Sequence, residues 1–106
     1  MTDGLDHWSD PPLLVLASLA GGPKHGYAIT QDVAEQAGVQ LGPGTLYGAI
    51  RRLEDRGLIA ALPPEQRRRP YRLTAAGERV LTQTATRMRR VADLGLTRLA
   101  AGQEPA

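Results

Sequence analysis

Seven arginines, Arg51, Arg52, Arg56, Arg67, Arg68, Arg69 and Arg72, crowd one short part of the chain. Guanidinium groups stay charged and present forked N–H donors, which suits phosphate far better than bond-breaking chemistry. Such a cluster is either a solvated surface or a footprint for phosphate. The net charge of +2 understates the segregation, since every acidic residue before Asp32, namely Asp3, Asp6 and Asp10, lies in the first ten positions. Twelve arginines against one lysine also fits a GC-rich genome, so the preference for arginine proves little alone.

Side chains for catalysis are missing or scattered. Cysteine is absent, which excludes disulfides and thiolate chemistry and fits a reducing interior. Neither His7 nor His25 has a second ligand at metal spacing. No Ser-His-Asp set, carboxylate pair or phosphate loop emerges. We therefore expect no enzyme, no metal and no cofactor.

A second constellation is the stretch LGPGTLYGAIRRLEDRGLI, residues 41–59. Pro43 is preset for the first turn of a helix, and Leu46, Ile50 and Leu53 make an apolar stripe at spacings of four and three. Gly44, Thr45, Gly48, Arg51, Arg52 and Asp55 lie away from that stripe, with Tyr47 on its flank. An exposed glycine inside a helix costs about 1 kcal/mol relative to alanine. A helix lying close to a groove floor would give Gly48 a reason, with Tyr47, Arg51 and Arg52 reaching phosphates or base edges. The plainer account is a solvated helix face. For Arg67, Arg68 and Arg69 the plainer account is a charged hairpin loop.

These residues need a scaffold. At 106 residues the chain suits one compact domain whose modest core would gain from a second subunit. No apolar run reaches membrane-spanning length, and the acidic N-terminus lacks a signal peptide's basic start, so a cytoplasmic location is expected. Asp10 before Pro11 and Pro12 opens a nearly all-apolar first helix that stops at Gly21-Gly22-Pro23. A second helix is expected from about His25 to Gln36, with Tyr27, Ile29, Val33 and Ala37 near one face and Gly38 as its stop. Its head carries Lys24, His25 and Tyr27, which could meet phosphate; His25 could equally be a cap or packing residue. The third helix runs from Pro43 to Gly57. Leu58 to Leu62 and Tyr71 to Leu73 read as two strands around the basic loop PPEQRRRP. Pro70 lacks an N–H, so the second strand should lie at an edge or begin after it. Thr74 then caps a helix of about 40 Å whose apolar positions repeat at three and four. A helix that long outruns so small a body, so part of its stripe needs another chain.

Three short helices and a two-stranded ribbon make a winged helix-turn-helix, in which the third helix enters the major groove and the ribbon loop follows the backbone. Three motifs, HGYAI at 25–29, GTLYGAIRRLEDRGLI at 44–59 and YRLTAAG at 71–77, together resemble the PadR family of bacterial transcriptional regulators. The likeness spans about residues 11 to 100. With a single terminal helix the chain is similar to the family's short subgroup.

The fold class is then mainly α with a small two-stranded β wing (α+β). A DNA-binding unit would occupy residues 10–73 and a dimerisation helix residues 74–101, with residues 1–9 and 102–106 as flexible ends. The resemblance implies a homodimer that binds a palindromic operator on double-stranded DNA, usually as a repressor. DNA contacts would come from Lys24, His25, Tyr27, Gly44, Thr45, Tyr47, Gly48, Arg51, Arg52 and Arg67–Arg69. The dimer would form through Leu81, Thr84, Met88, Val91, Gly95 and Leu99. In some members a flat aromatic or drug-like effector sits at the dimer centre; here Trp8 with Met88 and Val91 would line such a cavity. The wing departs from the family pattern, which has a glycine and mixed Arg/Lys before two aromatics where this chain has PPEQRRRPY. The alternative is a winged-helix module whose basic face docks an acidic protein.

Overall fold

The computed structural model describes residues 7–103. A single 3-10 turn at His7–Ser9 leads into α1 (Pro11–Leu19), β1 (Lys24–His25), α2 (Gly26–Ala37), α3 (Pro43–Asp55), β2 (Ile59–Ala61), β3 (Pro70–Leu73) and α4 (Ala75–Gly102). Of the ends expected at 1–9 and 102–106, the described residues include His7–Ser9, which form the turn, and Gly102, which closes α4. Residues 1–6 and 104–106 lie outside the described part. No helix among the described residues is long and apolar enough to cross a membrane.

Local chemistry accounts for the helix ends. Asp10 accepts from the Leu13 N–H at the head of α1, and two prolines follow where no N–H is required. Gly38, at φ 70°, closes α2 in the left-handed region. Past Arg56, Gly57 at φ 71° lets the chain turn back, and the Leu58 N–H reaches the Leu53 carbonyl at 2.9 Å. That 6→1 bond is a Schellman stop.

The core is α1 surrounded. Leu14, Val15, Leu16 and Leu19 pack against Ile29 and Val33 of α2, Leu46, Ala49, Ile50 and Leu53 of α3, and Ile59 of β2. This explains the nearly uniform apolarity of α1. Tyr27 departs from the expected inner face of α2: it is 60% exposed, because Gly26 and Ile29 take the inward positions.

The sheet has three antiparallel strands rather than two, in the order β1-β3-β2. Lys24 pairs with Tyr71 and His25 with Pro70, so the residues expected at the head of the second helix form a strand first. Two residues are too few to show a period, and their partners lie far along the chain. Pro70 also sits differently from expectation. It is the first residue of β3, the central strand, and its carbonyl accepts from the Leu62 N–H. The missing N–H falls at the strand's entry, where proline is tolerated.

The last helix rises from the turn after α3. Thr74 donates its hydroxyl to the Gly57 carbonyl at 2.7 Å and accepts from the Gly77 N–H. A Cβ on Gly77 would overlap the Leu58 carbonyl oxygen, so glycine lets α4 sit directly on backbone. Gly77 is the one buried residue of α4. Leu81 packs on the core's edge and Thr84 is half-buried; beyond them the helix leaves the body, giving a molecule 63 Å long and 30 by 21 Å across.

Candidate nucleic-acid interface

The side of α3 opposite its buried stripe is open. Gly44, Thr45, Gly48, Arg51, Arg52 and Asp55 are exposed, and a Cβ placed on Gly44 or Gly48 would meet nothing within 4 Å. No side chain caps the helix start, where Gly42 is the N-cap and Pro43 follows. Among the described residues, Arg51 and Arg52 make no side-chain hydrogen bond or ion pair. Two adjacent guanidinium groups with no carboxylate partner are available to an external anion.

The wing folds over beside this face. Glu65 and Arg68 exchange backbone hydrogen bonds of 2.7 Å each way, closing a two-residue hairpin over Gln66 and Arg67. Both central residues have positive φ, 47° and 72°, the geometry of a type I′ turn. Neither is Gly or Asn, so the turn stores strain. The three wing arginines differ in what they touch. Arg67 projects from the tip without a side-chain partner among the described residues. Arg68 stands 3.0 Å from His25 Nε2, and Arg69 donates to the Leu62 carbonyl at 3.1 Å, bracing the ribbon.

Between wing and helices lies a cleft of about 350 Å³ lined by His25, Gly26, Tyr27, Tyr47, Arg67, Arg68, Arg69 and Tyr71. It gathers all three tyrosines of the chain. His25 caps α2, its Nδ1 accepting from the Ala28 N–H at 3.3 Å. Tyr27 accepts from Gln31 Nε2 at 3.0 Å. Burial, then the nearby Glu54 carboxylate and Tyr47, push the Tyr71 phenol above 10, while Arg69 pulls the other way. Tyr71 therefore stays a neutral O–H donor at any ordinary pH. Its part in the cleft was not foreseen; its position right after Pro70 in the wing was the available signal.

Lys24 turns away from this surface. Its ammonium donates to the Ser18 carbonyl at 2.5 Å and to the Gly22 carbonyl at 3.4 Å, and stands 3.9 Å from Asp32. The buried Ser18 hydroxyl donates to the same carboxylate at 2.6 Å. That network ties the end of α1 to α2 and holds the cation that sequence reasoning offered to phosphate.

Trp8, Met88 and Val91 are all exposed in the single chain, at 51, 36 and 70%. Leu94, Leu96 and Leu99 of α4 are exposed as well, so the apolar surface of the helix is wider than the expected stripe. Gly95, on that stripe, has open space around it. No group of three or more potential metal ligands occurs among the described residues.

Comparison with known proteins gives this geometry a context. Residues 15–83 match the model of the transcriptional regulator PadR-like family. A protein of transposon TN4556 from Streptomyces fradiae is 46% identical over 83 residues, covering 78% of this chain and 24% of its own length. This chain thus spans about a quarter of that relative. The transcriptional regulator Rv3488 of Mycobacterium tuberculosis is 39% identical over 77 residues, covering 67% of this chain and 68% of its own. Among solved structures, a PadR family regulator from Clostridium difficile R20291 superposes with a TM-score of 0.74 at 26% identity, over 84% of this chain and 97% of that one. Bacillus subtilis PadR in complex with operator DNA superposes with a TM-score of 0.64 at 25% identity, over 70% of this chain and 45% of that one. A winged helix with an open, cationic third helix, matched over most of its length by that family model, belongs to the PadR-like family of transcriptional regulators.

Proposed function

We propose that the protein acts as a homodimeric repressor that binds a palindromic operator. The recognition helix is α3. Gly44, Thr45 and Gly48 face the base edges, and Arg51, Arg52 and Tyr47 reach the flanking phosphates or bases. Arg67 leads the wing onto the neighbouring backbone, with Arg68 and Tyr27 beside it. Lys24, engaged by Ser18, Gly22 and Asp32, stays outside these contacts. The observation that carries the reading is the pair Arg51 and Arg52, exposed without partners beside glycines that leave the helix face bare.

Two copies associate through α4, using Leu81, Thr84, Met88, Val91, Gly95 and Leu99 and extending to Leu96. Apolar side chains exposed along a helix that has left its own core are the support for this. Dimer symmetry then sets the two recognition helices about 34 Å apart, one DNA turn, as palindromic half-sites require. A flat aromatic effector lodged between the copies, against Trp8, Met88 and Val91, would change that separation and release the operator.

The test is Arg51→Ala in a quantitative binding assay across a salt series. Weaker binding with a shallower salt slope supports the reading; unchanged affinity and slope overturn it. Salt-dependent binding to acidic protein but not to DNA would favour the protein-docking alternative.

A further inference from the structure

We propose that His25 holds the Arg68 guanidinium in reserve through a contact that DNA must break, so that this side chain is latched in the free protein. This rests on the reading above, in which the wing meets phosphate.

Both ring nitrogens of His25 face a donor. The Ala28 N–H approaches Nδ1 at 3.3 Å, and Arg68 Nη1 stands 3.0 Å from Nε2. A neutral imidazole carries one proton and has one accepting nitrogen, while a guanidinium only donates. The two hydrogen bonds therefore exclude each other. If Nδ1 accepts from Ala28, Nε2 bears the proton and opposes an N–H of Arg68. If Nε2 accepts from Arg68, Nδ1 bears the proton and the head of α2 loses its cap. A doubly protonated ring makes neither bond.

The fold forces the competition. His25 pairs with Pro70 at the entry of β3 while also capping α2, so it stands where wing and helix meet. Glu65 lines a second hollow with His25, Gln66, Arg68 and Pro70, yet Arg68 forms no ion pair with it among the described residues. The imidazole is thus the side chain that holds the guanidinium. The imidazole offers Arg68 one neutral lone pair, whereas a phosphate adds negative charge and a second oxygen that a guanidinium can take in bidentate fashion. Phosphate takes Arg68, and His25 returns its lone pair to Ala28. Release of the Arg68 guanidinium and completion of the α2 cap become one event, beside Gly26, Tyr27 and Tyr47.

The experiment is ¹⁵N spectroscopy of the histidine rings in the full chain, in alkaline buffer, with His25→Gln to assign the signals. Spectra are compared for the free protein, Arg68→Ala, and the protein with a mixed-sequence 20-base-pair duplex at low salt. In the free protein, the expected His25 signal is a mixture of the two tautomers. Arg68→Ala and the duplex should each move it to the single Nε2–H form. A free protein already wholly Nε2–H, unmoved by Arg68→Ala, overturns the latch. Amide shifts at Thr45 and Arg51 on adding duplex, with His25 unchanged, overturn the latch and leave DNA binding standing. No shift anywhere overturns both.

Discussion

The Tyr47 hydroxyl of α3 rests on Gly26, the first residue of α2, 2.5 Å from where a Cβ would stand. Tyr47 is half exposed, and a ring at its surface can swing aside where buried backbone cannot. Gly26→Ala should therefore leave a folded protein, destabilised by about 1 kcal/mol, with Tyr47 displaced from the cleft. DNA affinity should fall by the same factor as in Tyr47→Ala. In a double-mutant cycle, Gly26→Ala should add nothing further once Tyr47 is gone. Additive losses would show that Gly26 acts by another route.

Arg67 combines strain and charge at one residue. Its φ of 72° is costly for any side chain, so Arg67→Gly relieves roughly 1 kcal/mol of left-handed strain. The freedom glycine adds to the unfolded chain offsets part of this, leaving a net gain of about 0.5 kcal/mol in urea denaturation. DNA binding should move the opposite way, with the salt slope falling by about one counterion. Lower stability would refute the strain; an unchanged slope would remove Arg67 from the interface.

How far these features could be read in advance depended on how local their causes are. Thr74, Gly38 and the stripe Leu46, Ile50, Leu53 declare caps and faces within a few residues of themselves, and the structure has them in those roles. β1 was illegible because its pairing is with Tyr71 and Pro70. Lys24 resembles a free cation because its partners, the Ser18 carbonyl and the Asp32 carboxylate, come from other elements. The wing arginines were legible as charge, but their separate roles depend on a hairpin register and on contacts with His25 and Leu62. Periodicity alone puts Tyr27 inward, and Gly26 with Ile29 take that place in the structure.

The Tyr71 phenol gives the fold an alkaline limit. Its value is raised in the folded chain by burial and by Glu54 and Tyr47, so the unfolded chain ionises first. The resulting stability is intact below about pH 10 and is lost as pH climbs through the raised folded value. Urea midpoints measured from pH 8 upward should fall beyond 10, and Tyr71→Phe should fall less steeply. Parallel curves would mean that Tyr71 makes no contribution.

Leu99 is 62% exposed on α4, distant from the core. Leu99→Arg should leave far-UV circular dichroism and thermal unfolding of the body nearly unchanged. Sedimentation should show a dimer for the unaltered chain and at least about tenfold weaker self-association for the variant, the effect of placing a charge in an apolar seam. A variant that sediments like its parent would exclude this face from the dimer.

The central claim is that the bare face of α3 reads DNA. Fluorescence anisotropy with a duplex from upstream of the protein's own coding region, against a scrambled duplex of equal composition, tests it most directly. The unaltered chain should prefer the upstream duplex. Arg51→Ala should lose about 1–3 kcal/mol of binding. Gly48→Leu should also bind more weakly while unfolding no more easily, since no neighbour lies within 4 Å of a Cβ there. Equal binding to both duplexes, with Arg51→Ala and Gly48→Leu indistinguishable from the parent, would contradict the account.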